Sequence, residues 1–283
     1  MIRNSTKWNW LVHLFLIVIG LLMFYPVLWW IGASLKSNAE MSLPSLFPKE
    51  FMWSNYSKGW VALPRYTFTY FYMNSLKLNI ATTVFTVISC SLAAYGFGRL
   101  DFKFKKVWFS LLLLTLMLPS QVTLIPQYSM FHSFKWVNTY LPFIVPSALG
   151  GATLGGAFFI FLLVQFIKSI PREMDESARI DGCSSFGIYW RIIVPLTKPS
   201  LVTVMIFSFL WHWEDYFGPM IYLNSVDKFT IPLAIRMFVD AHSATAWGQL
   251  LAMSLLSIVP QIIIFFSAQR QFVEGIATTG LKG

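Results

Sequence analysis

The segment WLVHLFLIVIGLLMFYPVLWWIGAS, Trp10 to Ser34, carries no Lys, Arg, Asp or Glu along its whole length. A bilayer core of about 30 Å needs about 20 apolar residues in helical conformation, whereas the apolar core of a signal peptide is only about 7–15 residues long. The segment therefore reads as an uncleaved spanning helix. Arg3 and Lys7 precede it, which places the N-terminus in the cytoplasm, and Pro26 is expected to kink it. The rest of the chain agrees. Of 283 residues, 56% are hydrophobic, 18% aromatic and only 12% charged, with a mean hydropathy of +0.62. This balance excludes a water-soluble globule and a disordered chain. The apolar runs are continuous rather than alternating, which argues against a β-barrel.

After the first span, taken as 10–34, five more apolar segments follow at 72–98, 107–126, 141–167, 199–223 and 248–268. The expectation is an all-α integral membrane protein with six transmembrane helices in one domain. Its cytoplasmic parts would be the N-terminal tail, Arg99 to Lys106, the loop 168–198 and the tail 269–283. Thirteen of the 21 Lys and Arg fall in these parts, although the outer segments are longer. That bias supports a multi-pass protein of the cell (cytoplasmic) membrane with both termini cytoplasmic. It also accounts for the net charge of +9 without a nucleic-acid partner, since the basic residues act as anchors against membrane lipid. Cys90 falls in a span and Cys183 in the cytoplasmic loop, so the pair says nothing about redox compartment.

The loop between the fourth and fifth spans begins Lys168-Ser-Ile-Pro-Arg-Glu-Met-Asp-Glu-Ser-Ala-Arg-Ile-Asp-Gly182. Pro171 can open a helix where its missing N–H costs nothing. Glu173, Asp175 and Glu176 then fall in the first turns, where the helix dipole favours negative charge. Gly182 ends that helix. A second amphipathic stretch carries Phe186, Tyr189, Trp190 and Ile193, and Pro195 interrupts it before the next span. Helix, glycine corner and helix make a compact cytoplasmic knob. Ser177 and Ala178 are expected to let a partner's groove approach closely, and Glu176 and Asp181 offer carboxylates to a partner's arginine.

The spacing Glu176-Ser177-Ala178, three residues, Gly182, nine residues, Ile192, one residue, Val194-Pro195 resembles the EAA loop of the permease subunits of binding-protein-dependent ABC importers. Ser177 stands where the family has Ala, and Val194 where it usually has Leu. Similarity to the MalG-like permeases of carbohydrate importers extends further. It includes Asn74-Ser75-Leu76, Ala94-Tyr95 with Arg99, Pro119 and Pro126, the tail from Gln269 to Gly275, and Gly280 to Gly283. The resemblance implies a type I ABC importer permease fold. It also implies pairing with a second homologous permease, two ATP-binding subunits that hold ATP and Mg, and an extracytoplasmic sugar-binding protein. Glu176, Ser177, Ala178, Asp181 and Gly182 would couple to the ATPase, with Ile192 and Pro195 shaping the loop. The tail, through Phe272, Val273, Gly275 and Lys282, would enter the ATPase interface. No G-x-x-x-x-G-K-[S/T] loop is present in this chain, so ATP hydrolysis is expected on partners and no cofactor on the chain itself.

Weaker candidates lie elsewhere. Trp211, Glu214, Asp215 and Tyr216 sit in the fifth segment, where adjacent acids are costly unless they face water, a partner or the pathway. Trp211 would stack on a sugar ring and the acids accept its hydroxyl hydrogens. The plainer reading is an interfacial aromatic belt. Lys77 is either a neutraliser of an anionic sugar or a snorkelling anchor. Gly151-x-x-x-Gly155 reads as a close-packing face between helices, and Asp240 to Ala246 as an outer loop facing the binding protein. His13, His132, His212 and His242 are too scattered for a metal site, and no catalytic constellation is evident. Two alternatives remain open from sequence. An intramembrane enzyme needs paired acids at matching depth in several spans, and an ion-coupled secondary transporter usually shows inverted repeats.

Overall fold

The structure is a computed structural model that describes residues 6–63, 65–151, 154–242 and 246–268. Among them there is no strand. The helices are α1 (Thr6–Ser34), α2 (Ser54–Trp60), α3 (Phe68–Arg99), α4 (Lys105–Thr115), α5 (Ser120–Ser133), α6 (Leu141–Ala148) and α7 (Gly156–Ser169). They continue with α8 (Glu173–Ile180), α9 (Ser185–Ile188), α10 (Val194–Leu196), α11 (Lys198–Glu214), α12 (Phe217–Tyr222), α13 (Ile231–His242) and α14 (Trp247–Ser257). A single turn at Ile258 carries α14 on to Ala268.

Three unbroken helices are long and apolar enough to cross a bilayer: Val12–Ser34, Phe68–Arg99 and Trp247–Ala268. The other three segments expected to span are each interrupted, for local reasons. Within 107–126 the chain leaves helix after Thr115 and re-enters at Ser120, with Pro119 extended at φ −60°, ψ 131°. Within 141–167 it breaks between Ala148 and Gly156, where Gly150, Gly151 and Gly155 take φ of 100°, 66° and 75°. These glycines therefore form a turn instead of a packing stripe on a continuous helix, because only glycine adopts three such angles without strain. Within 199–223, α11 stops at Glu214 and Asp215 is extended.

Two compact units are present. One is built on the described residues up to Thr69 with Ala234–Ile258. In it, Asn55 Nδ2 donates to the carbonyls of Ser34 and Lys36 at 2.9 Å each, satisfying acceptors that the end of α1 leaves open. Trp30 Nε1 donates to Leu251 O at 3.2 Å, tying α1 to α14. Leu21, Leu22 and Met23 on α1 are exposed, as a lipid-facing helix requires.

The other unit is built on Tyr70–Leu233 with the described residues from Val259. Its axis is α3, whose 32 residues make a rod about 48 Å long, well over the bilayer core. The sidedness of α3 is inverted relative to a soluble helix. Asn74, Ser75, Asn79, Thr82, Thr83, Thr86 and Ser91 are buried, while Ile80, Val84, Phe85, Ile88 and Leu92 are exposed. In hydrocarbon a polar side chain is stable only when it finds a partner inside the protein, and most of these have one, although Thr86 Oγ1 is buried without a hydrogen-bond partner among the described residues. Asn74 Nδ2 donates to Asp227 O and Phe229 O, Ser75 Oγ accepts from Ile231 N, and Asn79 Nδ2 donates to Phe209 O.

A Cβ added at Gly156 would lie 2.2 Å from the carbonyl oxygens of Gly150 and Gly151, whereas one at Gly96 meets nothing within 4 Å. Gly156→Ala is expected to lower stability by roughly 1–3 kcal/mol through overpacking against backbone, and Gly96→Ala to leave it unchanged or slightly raised. Thermal unfolding of the detergent-solubilised protein distinguishes the two.

Candidate functional site

The cytoplasmic loop folds as the local chemistry dictates. α8 begins after Pro171 with Glu173, Asp175 and Glu176 in its first turn, and it ends in a glycine cap. Gly182 takes φ 81°, its N–H bonds Arg179 O at 3.0 Å, and the Cys183 N–H bonds Ala178 O at 2.9 Å. This pair of bonds satisfies carbonyls at the helix end and turns the chain sharply. Ser184 then caps α9, its Oγ accepting from Gly187 N at 3.1 Å. From Tyr189 to Ile193 the helix widens, and the Val194 N–H reaches the Tyr189 carbonyl five residues back. Pro195 follows immediately and has no N–H to donate. Thr197 Oγ1 donates to Ile193 O at 2.7 Å, and the helical stretch Ser185–Leu196 meets α11 at a bend of 78°.

One face of α3 holds this elbow. Ser91, Tyr95 and Arg99 are spaced four residues apart, so they stack along a single stripe about 12 Å long. Ser91 Oγ shares a hydrogen bond with Tyr189 OH at 2.5 Å, and Tyr95 OH donates to Ser185 O at 2.8 Å. Arg99 Nη2 donates to Ile170 O at 2.8 Å, and Arg99 Nε lies 3.1 Å from Asp175 Oδ2. The Arg99 and Asp175 side chains are only 3% and 10% exposed, so this is a buried ion pair. Apolar packing reinforces it: Ala178, Ile188, Tyr189 and Ile193 belong to one core with Tyr95 of α3 and Leu163 and Ile167 of α7. Beside the ion pair a cavity of about 410 Å³ is lined by Arg172, Glu176 and Arg179 together with the pair itself.

The opposite face of the elbow is bare. Glu176, Ser177, Asp181 and Gly182 are exposed, and so are Met174, Ile180, Phe186 and Trp190. Ile180, at 86% exposure, has almost no contact with the rest of the chain. Ala178, expected on the docking face, is instead turned inward at 7% exposure, where its small side chain lets α8 lie close to α3. Ile192 packs half-buried on the same core, and Pro195 is exposed at the bend. Ser177 Oγ donates to Glu173 O at 2.7 Å, so the hydroxyl that replaces the family's Ala methyl is absorbed by the helix itself. Asp175 was legible only as a first-turn acid. Its pairing with Arg99 had one sequence signal, an arginine ending a long apolar run.

The fifth-segment candidates do not share one face. Trp211 stacks on Phe159 at 5.1 Å and touches Phe158 and Phe207, yet stays 37% exposed. Glu214 is exposed and accepts from Gln261 Nε2 at 2.7 Å. Asp215 lies past the helix end, where Oδ1 accepts from Gly218 N at 3.0 Å, so it caps α12. Tyr216 packs edge-on against Phe217. Lys77 is exposed on α3. Phe272, Val273, Gly275 and Lys282 lie outside the described residues, as do 243–245 of the expected outer loop.

Residues 86–273 match the model of the family described as binding-protein-dependent transport system inner membrane component. The chain is 36% identical to the probable ABC transporter permease protein YurM of Bacillus subtilis (strain 168), over all of this chain and 90% of that protein. It is 31% identical to the arabinooligosaccharides transport system permease protein AraQ of the same organism, over the whole of both. In fold it resembles a chain from the crystal structure of a bacterial ABC transporter involved in the import of the acidic polysaccharide alginate. The TM-score is 0.80, at 21% identity over 96% of this chain and all of that one.

Breaking a buried pair from one side leaves an uncompensated charge. Arg99→Met and Asp175→Leu are each expected to cost about 3–5 kcal/mol, and the double substitution less than either alone. A double-mutant cycle on thermal unfolding measures this, and additive losses would show that the two charges do not act as a unit.

Proposed function

The chain belongs to the family of binding-protein-dependent transport system inner membrane components, and from that membership we propose that it forms one half of the membrane pathway of an oligosaccharide importer. As an ABC importer permease it belongs with transporter subunits rather than enzymes, which sets aside both the intramembrane enzyme and the ion-coupled secondary transporter. It is an inner membrane component that works with a substrate-binding protein. An oligosaccharide is supported by AraQ, whose name states arabinooligosaccharides and whose whole length aligns with this chain.

The partners follow from the same reading. A second, homologous permease completes the pathway, and two ATP-binding subunits beneath it hold ATP and Mg. The six segments read from the sequence serve as the spans, three continuous and three broken, with both termini cytoplasmic. The observation that carries the coupling role is the elbow 170–196: clamped to α3 on one side, it leaves Glu176, Asp181, Ile180 and Phe186 bare on the other. Exposed carboxylates offer charge-assisted bonds to arginines of an ATPase cleft, and the apolar side chains fill it. When the ATPase dimer closes on nucleotide, the elbow moves with it as a rigid body and drags α11 through the 78° bend. ATP then drives transport because the closed dimer binds one membrane conformation better than the other. The tail residues Phe272, Val273, Gly275 and Lys282 add a second contact to the same partners. Trp211, exposed on an aromatic platform, offers its face to a sugar ring, with Glu214 near the helix end; Lys77 serves as an outer anchor.

Glu176→Lys reverses the charge of the docking face without touching the core. Gly182→Val forces a β-branched residue into φ 81° and deforms the corner. Both are expected to abolish uptake of a labelled arabinooligosaccharide and reduce co-purification of the ATPase, while membrane insertion stays normal. Wild-type uptake by both would overturn the coupling role. Trp211→Ala is expected to lower uptake at least several-fold with ATPase attachment intact, and unchanged transport would remove Trp211 from the pathway.

A further inference from the structure

Where α11 breaks, a small pocket of about 20 Å³ lies between Ser75, Asn79 and Thr82 of α3, His212 and Asp215, and Thr230, with the apolar Leu78, Phe143 and Pro219 completing its wall. The polar part of its lining is left unfinished by the protein. His212 Nδ1 lies 2.7 Å from the Ser208 carbonyl, which only accepts, so in the neutral ring Nδ1 carries the proton and Nε2 presents a bare lone pair. Nε2 is buried without a hydrogen-bond partner among the described residues, and so is Thr230 Oγ1. A buried polar atom without a partner has lost its hydration for nothing in return, so two such atoms on residues lining one pocket are costly unless something bridges them.

We infer that this cavity is a hydration site for a single water molecule, held by His212 Nε2, Thr230 Oγ1 and the Asp215 carboxylate. The volume is about that of one water by the measure in which roughly 10–15 Å³ suffices. The chemistry also matches. The water donates one hydrogen to Nε2 and one to the carboxylate, and it accepts from the threonine hydroxyl, so every group lacking a partner gains one. The neighbouring groups are already engaged: Ser75 Oγ accepts from Ile231 N, and Asn79 Nδ2 donates to Phe209 O. Asp215 Oδ1 keeps its bond from Gly218 N. The bridge ties the end of α11 to the connection that precedes α13, at the point where α11 changes direction. A water there exchanges partners more readily than two side chains do, so the break stays joined while its angle changes. The site depends only on packing within its own unit and is independent of which sugar is carried.

The test uses the complete transporter. A high-resolution cryo-EM map is expected to show one isolated peak within about 3.2 Å of both His212 Nε2 and Thr230 Oγ1. An empty cavity overturns the inference, and so does a peak whose occupancy follows sodium concentration. Thermal unfolding supplies a second arm. Thr230→Ser keeps the hydroxyl and is expected to melt like the wild type. Thr230→Val keeps the shape, loses the donor and is expected to melt about 2–4 °C lower. The reverse order would show that Thr230 acts through its methyl group, and the bridge would fall.

Discussion

The buried pair of Arg99 with Asp175 is the constraint on which the cytoplasmic half of the molecule turns. Two charges removed from water are tolerable only when they lie against one another and spare hydrogens find acceptors; Arg99 Nε lies 3.1 Å from Asp175 Oδ2 and Nη2 donates to Ile170 O, while Asp175 Oδ1 is buried without a hydrogen-bond partner among the described residues. The pair fixes where α8 begins relative to the end of α3. The hydrogen bonds from Ser91 and Tyr95 then fix the rest of the elbow at intervals of four residues along the same stripe. Because all three ties lie on one rigid helix, the loop cannot rotate about one of them without straining the others.

Rigidity in the elbow contrasts with the interruptions in the membrane segments that adjoin it. The glycine turn at 150–156, the extended Pro119 and the extended Asp215 each stop a helix where an uninterrupted one would fit the apolar pattern. Backbone groups freed at such breaks must be satisfied inside the protein, and two of them visibly are. Gly156 N donates to Gly151 O, and Asp215 takes the N–H of Gly218. Breaks of this kind are where a helix can change direction at low energy, so in the proposed coupling role stiffness would sit at the elbow and compliance further along the same chain.

What the sequence made legible was local. Pro171, Gly182 and Pro195 punctuate the loop through properties of their own backbone, and the structure puts the helix start, the corner and the bend where those residues stand. Non-local facts were hidden, for identifiable reasons. Asp175 already had a sufficient local explanation, the helix dipole, and the one signal at Arg99, an arginine ending a long apolar run, had another, the cytoplasmic anchor, so neither residue named the other as its partner. Ala178 looked like a docking residue because small side chains permit close approach; the approach it permits is that of α3. Asp215 read as part of a continuous fifth span, but an aspartate whose side chain captures a nearby backbone N–H competes with the helix it would extend. The glycines of the fourth segment were too dense for a packing stripe, and that density was a missed signal.

The energetics of switching place a lower bound on how firmly the elbow must be held. Moving a two-state protein from 1:99 to 99:1 takes about 5.5 kcal/mol of differential binding, and in the proposed coupling role the share delivered through the elbow has to pass through its contact with the partner. Were the elbow able to peel from α3 for less than that, closure of the partners would lift it and leave the spans where they were. A surface loop held by exposed ion pairs, each worth about 0–1 kcal/mol, would fail this condition. An elbow with Ile188 and Ile193 in the core, worth about 1.5–3 kcal/mol each, and hydrogen bonds to Ser91, Tyr95 and Arg99, worth about 0.5–1.5 kcal/mol each, meets it. The buried ion pair adds position more than strength, because separating the two charges returns to them the hydration that burial removed.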